Sequence, residues 1–375
     1  MSKSKKASSG WTPLVVFVIT GGFCLFLSFK FNENLSFFNQ NIPGIFTIAF
    51  SVLFFMTAWF IQRIIQIFGF FVFGHLCGYT FCSLKLYNLI LTKENGKIRF
   101  KSKSGIKKQI VLFMLPPKTN DGKHLVIPYI LGGAIANILS VGFFLLFFIL
   151  SYNIPFVPIL MLVTAVVGLY FAITQLLPFG YGYNSIQSAC LVRKNPDALR
   201  CYDITTRIYK ELADGVRLKN MPNAWFEMPD IALTDNAHIA SNAVFVCSRY
   251  MDCHSFDKAS ETAEMLLEAD CITTEHYQRQ LISNKIYCEI LNGNSEEILK
   301  YMTEEQIKYM AAHSSELFFL RTRYAYALLC ENDSLKAEQL KAKFENTCSG
   351  YLFNAEAQME QELMEIADKF SFEKA

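Results

Sequence analysis

From Gly44 to about Cys77 the chain runs 34 residues without a proline, an aspartate or a glutamate. At ~1.5 Å per residue such a helix reaches roughly 51 Å. The apolar core of a bilayer is only ~30 Å thick and needs about 20 residues. A helix apolar on all sides belongs in lipid or deep inside a protein, so this run predicts a membrane helix that tilts or protrudes. Arg63 and Gln66 interrupt its apolar character. Polar groups inside a span are costly and line a cavity or pair with something; the alternative for Arg63 is to snorkel to an interface. Three residues apart, the two share a helix face.

Three more runs have the same character. Trp11 to Phe29 carries no charge, and Leu125–Leu150 and Ile154 to about Leu177 are joined only by Ser151–Asn153, which predicts an antiparallel hairpin. Lys3, Lys5 and Lys6 precede the first run as in a signal peptide. No small-residue cleavage site follows it, which favours a retained anchor.

The charge balance divides the chain in two. Residues 1–183 hold 15 Lys+Arg against 3 Asp+Glu, and residues 184–375 hold 20 against 30. A soluble enzyme, a disordered protein and a secreted disulfide scaffold all fit such a chain poorly. The segment 78–124 has ten basic residues, Lys85 to Lys123, whereas the loop 30–43 has only Lys30. The positive-inside bias then predicts a multi-pass protein of the cell membrane. Four spans (11–29, 44–77, 125–150, 154–177) leave both termini in the cytoplasm. Eleven cysteines form no CxxC pair, and eight lie from Cys190 onward; reduced, mostly buried thiols are expected there.

Within 79–113 the β-forming run Leu84–Thr92, the turn signal Glu94-Asn95-Gly96 and the return Lys97–Phe100 predict a small cytoplasmic β-hairpin. Beyond a helical linker (184–235), residues 236–370 show amphipathic helices separated by short breaks at Asp252–Ser255, Asn292–Ser295 and Asn332–Ser334. Ser255, Ser295 and Ser334 suit helix N-caps and recur every 40 and 39 residues. Helix pairs at a regular period indicate a tetratricopeptide-like α-solenoid, although the period exceeds ~34 and the Trp/Gly/Pro signature is absent; an irregular helical bundle is the plainer alternative. The predicted fold is thus mainly α, a polytopic membrane domain (1–183) carrying a β-hairpin and followed by a cytoplasmic solenoid. The acidic surface argues against nucleic-acid binding.

The order of parts carries a resemblance. Gly78-Tyr79 closes the long helix, Gly132-Gly133-Ala134-Ile135-Ala136-Asn137 lies in the third span, and Leu177-Pro178 leads to Gly182-Tyr183-Asn184. Asp214–Pro222 with Trp225-Phe226 adds a further segment. Over residues 40–226 the chain resembles the site-2 protease family of intramembrane zinc metalloproteases, especially bacterial members with a helical cytoplasmic tail. The resemblance implies a zinc held by two His of an HExxH helix and one Asp near the last span, with the Glu activating water.

Counted back from Gly78-Tyr79, the HExxH window falls on Gln66-Ile67-Phe68-Gly69-Phe70, and the Asp position is Tyr181. Ligands and base are gone. Gln66, Ile67, Phe70 and Tyr181 are the degenerate former-site positions; Arg63, Gly132, Gly133, Asn137, Pro178 and Asn184 are candidate pocket or motif residues. His75, Cys77 and Cys82 match no standard zinc spacing. The expected function is a membrane pseudoprotease that binds or presents a membrane-embedded peptide or partner helix without hydrolysis and without zinc. A cytosolic protein would engage the acidic helical repeats. The alternatives are an active metalloprotease with non-standard ligands, or an accessory subunit of a peptide maturation or export system. Residues 44–80 hold one His and no Asp or Glu, which weighs against the first.

Overall fold

The computed structural model describes residues 21–22, 26, 44–86, 89–94, 97–102, 110–117, 125–154, 156–177, 184–269, 274–349, 351 and 353–374. The expected first span, apart from three positions, and both Pro178 and Tyr181 lie outside the described residues. The chain is mainly helical and divides into two compact units: residues 1–81 with 116–190, and residues 82–115 with 191–375.

The first unit contains α1 (Gly44–Leu76), α2 (Val126–Leu150) and α3 (Val157–Leu176). All three are long and apolar enough to cross a membrane, which marks the chain as membrane-associated. Each helix packs on the other two. Along α1 the large residues Leu53, Met56, Phe60, Ile64 and Phe68 face outward, while Ser51, Ala58, Gln62 and Gln66 are buried. Both stripes advance by three or four residues, one helical turn. Small and polar groups point inward because lipid is as apolar as leucine, so close packing and hydrogen bonds hold such helices together. The α1 helix stops where Gly78 adopts φ +83°, its N–H bonding His75 O and the N–H of Tyr79 bonding Gly74 O. This paired closure requires a left-handed residue, which glycine adopts without a Cβ penalty. Tyr79 is thereby buried and stacks on Tyr129 of α2, ring centres 4.3 Å apart.

The β-segment is larger than the expected hairpin. Strands β1 (Thr80–Leu86), β2 (Leu89–Glu94), β3 (Lys97–Ser102) and β4 (Ile110–Leu115) form a four-stranded sheet in the order β3-β2-β1-β4. The run Leu84–Thr92 is two strands rather than one, with Leu86 opposite Leu89 and Ser83 opposite Thr92. The expected return strand from Lys97 is present, Glu94 opposite Lys97. Most of the sheet groups with the acidic half, not with the membrane helices to which its position in sequence assigned it. Its strand β4 touches α5, defined next.

The second unit continues through α4 (Ser185–Lys194), which begins in the first, α5 (Pro196–Ala213), α6 (Ala237–Asp252), α7 (Phe256–Glu268), α8 (Glu275–Asn292), α9 (Ser295–Tyr301), α10 (Glu304–Ala312), α11 (Leu317–Leu329), α12 (Ser334–Ser349) and α13 (Asn354–Lys374). The consecutive pairs α5–α6, α6–α7, α7–α8, α8–α9, α10–α11 and α11–α12 pack, and α6, α8, α11 and α13 also pack in series. One continuous core runs from Ile208 to Ala367. Left-handed residues follow α6, α8 and α11 at His254, Gly293 and Asn332, 39 residues apart each time. The capping expectation needs correction. Ser255 precedes α7 without a side-chain cap bond, while Asn294 caps α9 through Glu297 N–H and Asp333 Oδ1 accepts from Lys336 N–H ahead of α12. Asn and Asp one residue upstream take the cap from Ser295 and Ser334, as strong capping residues do. The nine described cysteines are free.

Candidate functional site

The polar residues of the membrane unit converge on the buried stripe of α1. Gln62, fully buried, donates from Nε2 to Thr164 O of α3 at 2.9 Å. Its Oε1 accepts from Asn137 Nδ2 at 2.9 Å and from Ser140 Oγ at 3.0 Å, both on α2. One side chain thus ties three helices together, which in apolar surroundings leaves few exchangeable partners. Gly168 makes it possible: a Cβ there would stand 2.6 Å from Gln62 Nε2.

One turn on, Gln66 is buried and its Oε1 accepts from Arg63 Nη1 at 2.7 Å. Arg63 and Gln66 are thus hydrogen-bonded to each other along α1. A further turn on, the helices touch backbone to backbone, since a Cβ on Gly69 would lie 2.4 Å from Gly132 O and one on Gly132 would lie 2.8 Å from Gly69 O. Phe70 fills the space over Gly133, where an added Cβ would meet its ring at 2.7 Å and Gln175 Oε1 at 3.0 Å. Phe70 also sits edge-on to Tyr129, at 6.3 Å. Ile67 is half-buried.

The structure therefore sets Phe70 on Gly133, Gly69 on Gly132 and Gln62 on Asn137, and pairs Arg63 with Gln66 on the same helix α1. Asn184 has a different task. Its Oδ1 accepts from Gln187 N–H, its own N–H donates to Gln187 Oε1, both at 3.1 Å, and its Nδ2 reaches Thr174 O and Leu177 O. It caps α4 and ties that helix to the end of α3. Sequence reasoning missed Gln62, Ser140, Thr164 and Gln175. Gln62 had a legible signal, one turn before Gln66 in an apolar run.

The residues present do not fit zinc. Gln66 has only an amide oxygen, and that oxygen holds a guanidinium, a cation placed where a second cation would be repelled. Phe70 and Ile67 have no donor atom. In the three described spans the one imidazole is that of His75, exposed at the end of α1, and there is no carboxylate. Among the described residues no group of three His, Cys, Asp or Glu is placed to hold a metal ion. Activating water for hydrolysis also requires a base. What the cluster does offer is acceptors: the buried Asn137 Oδ1 and Gln175 Oε1 take no hydrogen bond among the described residues, and each can accept an N–H.

No protein-family model matches the chain, and neither a curated protein nor a solved structure matches it.

Proposed function

We propose that this protein is a membrane-embedded pseudoprotease of the site-2 protease type, which holds or presents a peptide or partner helix without cleaving it. The observation that carries the reading is the Arg63–Gln66 hydrogen bond of 2.7 Å. It sets the Arg63 guanidinium on the amide at the first position of the window where the resembled enzymes place zinc ligands, with the Phe70 ring at the window's last position. Two buried amide oxygens without donors, Asn137 Oδ1 and Gln175 Oε1, supply acceptors for the N–H groups of a bound chain, since leaving them unmade is costly. In this reading zinc is absent, the chain crosses the cell membrane four times with both termini cytoplasmic, and the second unit is a tetratricopeptide-like solenoid that recruits a cytosolic partner. The left-handed turns at His254, Gly293 and Asn332, with packing of α6, α8, α11 and α13 in series, support the solenoid.

The test measures metal content and cleavage of a co-expressed membrane peptide. Wild-type protein is expected to purify without stoichiometric zinc and to leave the peptide intact. Chelator-sensitive cleavage would defeat the proposal. The variant carrying Gln66→His, Ile67→Glu, Phe70→His and Tyr181→Asp together should gain zinc, whereas Phe70→His alone should not.

A further inference from the structure

In the helical unit, Arg321 of α11 and Glu360 of α13 form an ion pair whose hydrogen bonds are incomplete. Arg321 is fully buried and Glu360 is 2% exposed. A guanidinium carries five N–H donors. Of the three nitrogens of Arg321 only Nη2 makes hydrogen bonds, to Asn284 Oδ1 at 2.9 Å and to Phe318 O at 3.5 Å. Its Nε stands 3.4 Å from Glu360 Oε2. Neither Nε, nor Nη1, nor Glu360 Oε2 has a hydrogen bond among the described residues. The two charges therefore compensate each other while polar atoms of both stay unsatisfied, a costly arrangement away from water.

Glu360 lines a cavity of about 30 Å³. A water molecule needs roughly 10–15 Å³ and about two to four polar partners, so the space suits one or two waters. The partners stand on three helices. Asn284 of α8 lines the same cavity, and its Nδ2 spends one proton on Cys247 Sγ at 3.7 Å, a weak acceptor, and has a second to give. Ser248 of α6 lines it too; its Oγ accepts from Gln280 Nε2 at 3.4 Å and keeps its own proton to donate. Asp252, on the same wall, is already held by Arg217 Nε at 2.9 Å and by the Lys219 N–H at 2.8 Å.

We propose that this cavity is a binding site for one or two ordered waters, which donate to Glu360 Oε2 and accept from Asn284 Nδ2 and Ser248 Oγ. The carboxylate opposite Arg321 is then hydrogen-bonded through water to α6 and α8, and the water is a polar tie between α6 and α13. The inference concerns the helical unit and stands apart from the pseudoprotease reading.

The experiment uses the full chain in lipid nanodiscs. A cryo-electron microscopy map that resolves ordered water should show density in the cavity at roughly 2.6–3.2 Å from Glu360 Oε2 and from Asn284 Nδ2 or Ser248 Oγ. Ser248→Val fills the space with methyl groups and removes one partner. Displacing a well-ordered water by a group that cannot reproduce its hydrogen bonds is unfavourable, so the melting temperature should fall by about 2–4 °C. In an Arg321→Met, Glu360→Met background no charge needs the water, and the same change should leave the melting temperature unchanged or raise it, as cavity filling does. A map with no density in the cavity, or a Ser248→Val change that stabilises the otherwise unaltered protein, overturns the proposal. Stability that drops when choline replaces sodium, and does so only while Glu360 is present, would assign the cavity to a cation and overturn the water reading.

Discussion

Gln62 and Asn137, 75 residues apart in the chain, meet amide to amide at 2.9 Å in the centre of the membrane unit. Asn137 belongs to the motif that gives the chain its family resemblance, and Gln62 does not. The pairing fixes the orientation of both side chains and commits one of the two polar ends of Asn137 to structure, leaving Oδ1 open.

Gln62→Leu removes acceptor and donor at once, leaving Asn137 Nδ2 only the longer bond to the residue 62 carbonyl at 3.3 Å and freeing α3 from its side-chain tie at Thr164 O. The expected loss is about 1–2 kcal/mol, the upper part of the range for interhelical hydrogen bonds in membranes. Unfolding of the detergent-solubilised protein measures it. The double variant with Asn137→Leu should lose less than the two single changes together, because they share one interaction.

Gly69→Val puts a Cβ against Gly132 O and the Ala136 side chain, at 2.4 and 2.5 Å. Backbone cannot yield as a side chain can, so α1 and α2 must separate, at a cost of about 1–3 kcal/mol or more. Gly142→Ala, with nothing within 4 Å of its Cβ, is the matched control and should be silent. Thermal stability in detergent separates the two.

Arg321 is fully buried, with Nη2 on Asn284 Oδ1 at 2.9 Å, its guanidinium 4.4 Å over the Tyr287 ring, and Glu360 opposite. Arg321→Met leaves the acid alone in the core and should cost about 3–5 kcal/mol. Adding Glu360→Gln should recover much of that loss in the same denaturation assay.

Burial, with Glu360 and Glu316 nearby, pushes the Glu356 carboxyl up to about 8. An unfolded glutamate titrates near ~4.3, so the folded state binds this proton more tightly. The stability it contributes is full below the unfolded value and is lost as pH rises through about 8. Glu356→Gln removes this dependence. Its melting temperature should exceed that of the wild type above pH ~8, with the gap narrowing toward pH ~4.5.

Cysteines introduced at Phe37 and Ile110 test the topology in intact cells. An impermeant thiol reagent should label position 37 and spare position 110, as the ten basic residues of 78–124 against one in 30–43 require under the positive-inside bias. Labelling of 110 alone would invert the orientation.

Periodicity, charge and length by themselves determined three membrane-length helices, a return strand from Lys97, helix pairs after residue 236, and the lack of a ligand atom on Ile67 and Phe70. Each is local or compositional: a run of apolar residues has no low-energy home but lipid or a protein interior, and a phenylalanine carries no ligand atom in any fold. Tertiary structure alone decided the rest. It broke Leu84–Thr92 into two strands and moved caps to Asn294 and Asp333, where stronger acceptors stood one residue away. It also chose Gln62 as the hub of the bundle. In sequence Gln62 and Gln66 are equivalent amides one turn apart, and only the approach of Asn137, Ser140 and Thr164 from other helices distinguishes them. The buried Arg321–Glu360 pair was hidden for the same reason. Glu360 is one among thirty acids of the second half, and its cost, with the need for Arg321 beside it, arises only when separate helices bring the two into one low-dielectric space.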